Sequence, residues 1–149
     1  MIISTPTMLT PHFSVNESRV TSQPFANIPD ETQKSRILNT AYNMEIVRAC
    51  LLRKPITVNS WFRSAEVNRA VGGSNSSEHL LGAAVDFVCP SFGTPKDICK
   101  SLVLYSHILN YNQLIYEGTW VHISFPEDGI QGKREVLTYT GGKYISGIL

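Results

Sequence analysis

Between Ala83 and Cys89 the chain reads Ala-Ala-Val-Asp-Phe-Val-Cys, an apolar segment interrupted by one carboxylate. A run this short, with β-branched and aromatic residues and a glycine just before it, predicts a buried strand. A carboxylate in such a strand cannot remain charged and alone, because the water it gives up must be replaced by a cation or by donors. The fold must therefore bring a positive group to Asp86. An ion pair to Arg48 or Arg63 would meet that demand, and so would a metal ion.

The rest of the chain predicts a small α+β domain around this strand. Asp30 has the form of a helix cap, and Ile37, Ala41, Met44, Val47 and Leu51 recur at steps of three and four, giving one apolar stripe on a helix that runs to about Arg53. Pro55 stops it, and Ile56 to Ser60 alternates as a strand. Ser64 then caps a short helix over Ala65 to Ala70, which Gly72-Gly73 ends. Ser74 to His79 is too polar for a core element and reads as a loop. Thr94 to about Leu109 is expected to be a second amphipathic helix, with Ile98, Leu102, Tyr105 and Leu109 on one side. Gln113 to Glu117 and Trp120 to Phe125 form a hairpin around Gly118-Thr119, and Val136 to Tyr139 adds a last strand. Residues 1–31, rich in Ser, Thr, Pro and Asn, read as an irregular arm anchored by Phe13, Val15 and Phe25. The 149 residues suit one domain, with helices on one side of a small, mainly antiparallel sheet.

Charge and composition narrow the function. A net charge of +1 with scattered lysines and arginines gives no footprint for nucleic acid or for an anionic membrane. No segment approaches the roughly 20 apolar residues of a membrane span, and the start of the chain lacks the pattern of a signal peptide. A monomer made in the cytoplasm is the expectation. Cys50, Cys89 and Cys99 are odd in number and lack zinc-finger or disulfide spacing, so they read as buried apolar residues.

His79 lies seven residues before Asp86 on the polar loop, and Gly82 allows the sharp turn that returns its imidazole beside the carboxylate. In the hairpin, a turn of two residues at Gly118-Thr119 pairs Glu117 with Trp120 and Ile115 with His122, so Glu117, Trp120 and His122 share one face. Glu117 and His122 become diagonal neighbours about 7 Å apart at the backbone. That gap suits a carboxylate touching water on a metal that the histidine binds. Two imidazoles and one acid with an open fourth position form the ligand set of a hydrolytic zinc centre. Zinc there would activate water and polarise a carbonyl, with Glu117 carrying the proton. The sequence has no Gly-x-Ser-x-Gly elbow, no His-Glu-x-x-His helix and no Gly-rich phosphate loop.

The pattern Ser77-x-His79-x-x-Gly82-x-Ala84-x-Asp86, followed by Glu117 and Trp120-x-His122, closely resembles the M15 family of zinc D-Ala-D-Ala carboxypeptidases and phage cell-wall peptidases. Leu9-Thr10-x-His12-Phe13 and the stretch Ser60-x-x-Arg63-Ser64-x-x-Val67-Asn68-x-x-Val71-Gly72-Gly73-Ser74 are similar to flanking signatures of its phage-type, endolysin-like branch. The resemblance implies a Hedgehog/DD-peptidase-like fold and one Zn2+ on His79, Asp86 and His122, with Glu117 as catalytic acid or base. It also implies that Arg63 grips a substrate carboxylate and that Ser77 bonds the peptide or steadies the loop. The activity implied is hydrolysis of a peptide bond in peptidoglycan stem peptides, as carboxypeptidase or endopeptidase, during bacteriophage lysis of a host. A non-catalytic zinc-stabilised binding module and a virion-borne wall-opening enzyme are the alternatives. Two departures stand near the site: Trp61-Phe62 where the family often has Gly-Tyr, and Glu78 where Gln is frequent.

Other residues have plainer readings. Trp120 is an aromatic wall beside the site or a packing residue. His12 is expected to hold a structural hydrogen bond, His107 to be exposed off its helix stripe, and Cys89 to fill core rather than bind metal.

Overall fold

A computed structural model describes residues 7–149; the first six residues of the N-terminal arm, part of the segment read above for a signal peptide, lie outside the described residues. Within the arm, strands β1 (Met8–Thr10) and β2 (Phe13–Ser14) pair, and a short helix α1 (Val15–Ser18) follows, capped by Ser14. Regular structure thus replaces part of the expected irregular arm. Phe13 is buried against Trp61, but Phe25, expected as an anchor, is exposed.

Helix α2 (Glu31–Cys50) starts where predicted: Asp30 accepts from the Gln33 amide, and the Gln33 side chain accepts from the Asp30 amide. It ends before Arg53, because Leu52 and Arg53 both adopt left-handed φ as the chain turns toward Pro55. Strand β3 (Thr57–Ser60), helix α3 (Ala65–Ala70) and strand β4 (Ala84–Val88) follow. Between α3 and β4 the polar loop includes one 3-10 turn, Glu78–Leu81. Helix α4 (Pro95–Leu104) is shorter than expected. After it the Tyr105 carbonyl accepts from the amides of Ile108 and Leu109 in a tighter turn, which buries Leu109 and Tyr111 instead of continuing the stripe. His107 is exposed and stacks beside Tyr105, so its exposure is right although it stands past the helix end and not on it.

Strands β5 (Gln113–Tyr116) and β6 (Val121–Ser124) form the hairpin, with the predicted register: Ile115 opposite His122 and Tyr116 opposite Val121. Beyond them lie β7 (Glu135–Thr140) and a strand absent from the sequence reading, β8 (Lys143–Ser146). Among the described residues this sheet has six strands in the order β3-β4-β6-β5-β7-β8, and only β5 and β7 run parallel in it. Side chains alternate across this sheet. Val85, Phe87, Leu114, Val121 and Ile123 form one core with the buried stripes of α2 and α4, so these helices cover one face. Cys50, Cys89 and Cys99 are all buried and free, as their spacing suggested. The opposite face is left for the site.

Candidate metal centre

Across that open face runs one rung of paired residues: Ser60 opposite Asp86, Asp86 opposite His122, His122 opposite Ile115, and Ile115 beside Leu137. The rung places Asp86 and His122 next to each other without any long loop having to fold correctly. His79 comes from the 3-10 turn and depends on three local devices. Ser77 caps the turn by accepting from the His79 amide at 3.2 Å. Gly82 closes it at φ +76°, and a Cβ there would sit 2.5 Å from Ile37 of α2, so both backbone and packing require glycine. The Gly82 carbonyl then accepts from Thr40 of α2 at 2.8 Å and from the Trp61 indole at 3.0 Å.

The decisive detail is the other side of the His79 ring. Its Nδ1 lies 2.6 Å from the Trp61 carbonyl, which can only accept, so Nδ1 carries the proton and donates. Nε2 is left as a bare lone pair 3.2 Å from Asp86 Oδ1. Two acceptors facing each other repel unless a cation stands between them or the ring gains a second proton. Burial, the largest influence on His79, works against that second proton and lowers its pKa despite the nearby carboxylate. His122 Nδ1 approaches the same Asp86 oxygen at 2.8 Å. One candidate ligand atom from each of His79, Asp86 and His122 lies within 4.8 Å of the other two. A tetrahedral zinc with bonds of about 2.0–2.1 Å separates its ligand atoms by about 3.3 Å, so the donor set fits that ion in both chemistry and spacing. The orienting Trp61 carbonyl is the usual outer partner of a metal-binding imidazole.

Asp86 is only 8% exposed. Burial by itself would raise its carboxyl, but the hydrogen bond with His122, ahead of the influence of the neighbouring His79, outweighs it and holds the group well below the usual carboxylate range. Its second oxygen meets Arg63 Nη2 at 3.3 Å, so of the two arginines considered from sequence it is Arg63, not Arg48, that reaches the carboxylate. The Arg63 guanidinium also donates to Ser60 and Asn68. It is thereby held at the edge of the centre with its plane fixed.

Glu117 follows β5, with its amide donating to the Trp120 carbonyl across the turn at Gly118. It is half-buried, and burial raises its pKa. Arg63, Ser77, Glu117 and Trp120 line the same cavity of about 710 Å³ as His79, Asp86 and His122. The structure thus gathers every residue singled out for the site. The arm's His12 stands apart, bonded to Glu45 at 2.8 Å.

The profile of the peptidase M15 family matches residues 11–124, which span the site from Arg63 to His122. The chain belongs to the peptidase M15 family. It is also similar to the zinc D-Ala-D-Ala carboxypeptidase of Streptomyces albus G, 39% identical over 62 residues, or 42% of this chain. The match covers 24% of that protein, so the chain is aligned with about a quarter of the curated relative.

For an M15 chain, its departures have physical consequences here. Trp61 is fully buried and supplies both the carbonyl that orients His79 and the indole that pins Gly82. Glu78 accepts from Ser124 at 2.8 Å and from Asn112 at 3.0 Å, tying the 3-10 turn to β6 and to the residue just before β5. Sequence reasoning missed the cavity residues beyond the hairpin, Leu137 and Tyr144 among them. A signal was present: Gly141-Gly142 between β7 and β8 is a strong hairpin pair, and both adopt positive φ.

Proposed function

We propose that this chain is a zinc-dependent peptidase that hydrolyses a peptide bond in peptidoglycan stem peptides, with His79, Asp86 and His122 holding the ion. The observation that carries this reading is the bare His79 Nε2 aimed at an Asp86 oxygen 3.2 Å away, an arrangement that calls for a cation. Membership of the M15 family and the likeness to a zinc D-Ala-D-Ala carboxypeptidase support it. A zinc ion held there supplies Lewis acidity and brings the pKa of water toward neutral.

The protein's own groups do the rest. The Glu117 carboxylate takes a proton from the attacking water and returns it to the leaving amine, a role that suits a carboxyl whose pKa burial has raised. Arg63, held by Ser60 and Asn68, turns its remaining N–H donors toward a substrate carboxylate. Ser77 steadies the turn that carries His79, and Trp120 walls the groove. A purely structural zinc site has no use for a carboxylate at its open side, so Glu117 favours catalysis over a binding module.

The biological setting within this proposal is lysis of a bacterial host by a phage, on the likeness to the phage-type branch, by a single-domain monomer. Purified cell walls incubated with the protein should release stem-peptide fragments, identified by mass spectrometry. Release should stop with a chelator and return with zinc. Undiminished release after complete metal removal, or from Glu117→Ala, defeats the mechanism.

A further inference from the structure

Strand β8 is an unusual investment. All four of its residues are exposed, so it adds nothing to the core. Among the described residues it pairs on one side only, with β7, and closes the order of the sheet as an edge. The chain nevertheless fixes it firmly. Gly141 and Gly142 make the tight turn, the Gly147 amide donates to the Val136 carbonyl, and Thr138 bonds the Gly147 carbonyl at 2.7 Å. The whole hairpin lies past the stretch matched to the M15 family.

One side chain explains the arrangement. Tyr144 is 59% exposed, yet it lines the same cavity as the metal centre. It pairs with Tyr139 across the hairpin, ring centroids 4.9 Å apart, which limits where its ring can go. Continuing the parallel register of β5 and β7 puts Tyr139 beside Glu117, so Tyr144 belongs to the rung that carries the proposed proton carrier. Partial burial, and after it the charge on Glu117, push the Tyr144 hydroxyl above its usual range, so it remains a donor.

The layout across the sheet is therefore asymmetric. Arg63 touches Asp86 directly at the β3 side, so little substrate fits between them. On the other side three strand spacings of about 4.8 Å separate β6 from β8, or about 14 Å, the length of about four extended residues. We propose that Tyr144 is a substrate-contacting residue that forms the far wall of the groove and selects extended peptides over dipeptides. This rests on the peptidase reading above and names the substrate class of that site: a peptide strand running several residues from the metal toward β8.

The test is calorimetric binding of a synthetic stem pentapeptide and of an N-acyl D-Ala-D-Ala dipeptide to the zinc-loaded full chain, in a Glu117→Gln background that prevents turnover. The pentapeptide should bind about fivefold tighter than the dipeptide, the worth of one packed aromatic contact. Tyr144→Ala, and Tyr144→Thr with its better strand propensity, should erase that advantage and leave dipeptide affinity, zinc content and melting temperature unchanged. Tyr144→Phe should keep most of it. Pentapeptide affinity unchanged in both Tyr144→Ala and Tyr144→Thr, or an equal loss for both peptides, overturns the inference and leaves the peptidase reading intact. Failure of both peptides to bind the zinc-loaded Glu117→Gln protein overturns the peptidase reading itself, and this inference with it.

Discussion

Strand β4 has two sides that differ in every physical respect, although their residues alternate along one short stretch. Val85 and Phe87 are fully buried in the hydrophobic core that also holds the stripes of α2 and α4. Asp86, between them, faces the other way and has His79, His122 and Arg63 as partners. The same division extends to β6, where Val121 and Ile123 enter the core and His122 enters the site. The period of two in a strand lets a single segment hold the fold together with one face and carry the chemistry on the other. It follows that substitutions one residue apart should be read by different instruments.

The largest expected effect is on the core side. Phe87→Ala should destabilise the protein by about 3–5 kcal/mol, measured by denaturant unfolding of the metal-free chain. A loss below about 1 kcal/mol would mean that the core does not rest on β4 as described. On the site side Glu117→Gln should cut kcat by about 10²–10⁴-fold while zinc content and the unfolding curve stay as they are. If it unfolds the protein instead, the two faces are not separable. Because burial raises Glu117, the acid limb of the kcat/KM profile should also lie above the ordinary value of 4.5, the active base form being lost as pH falls through its raised pKa.

Smaller effects sharpen the boundary between the faces. Arg63→Lys keeps the charge but loses the planar fork that bonds Ser60, Asn68 and Asp86, and should cost about tenfold in kcat/KM, the worth of one charge-assisted hydrogen bond. An equal fall in melting temperature and in substrate use would mark the arginine as structural. Smallest is Ser77→Ala, which removes the cap from the 3-10 turn and should cost about 1 kcal/mol, restored by threonine. Its effect should appear as weaker zinc binding, followed by competition with a chromogenic chelator, because the turn carries His79.

Much of this was legible in the chain itself, and the reason is that the relevant signals are local. The stripe from Ile37 to Val47 predicted α2, the carboxylate in an apolar run predicted a buried strand needing a cation, and a two-residue turn fixed which residue faces His122. Each depends on a period or a turn read over a few residues. The errors arose where locality stops. The stripe that suggested a helix to Leu109 was cut at Leu104, since burying Leu109 and Tyr111 requires the chain to turn. The strand β8 went unread because none of its side chains is buried and its pattern offers no apolar face.

By itself, then, the sequence determined the α+β elements, the hairpin register and the identity of a His, Asp, His set, because backbone sterics and side-chain periodicity act between near neighbours. Only the tertiary structure decided that Arg63 rather than Arg48 meets Asp86 and that the Trp61 carbonyl sets the His79 tautomer. It alone decided, too, that Tyr144 reaches the groove. Those contacts join segments that no local pattern links, and they exist because packing the helices on one face of the sheet leaves a single polar face on which distant residues must find one another.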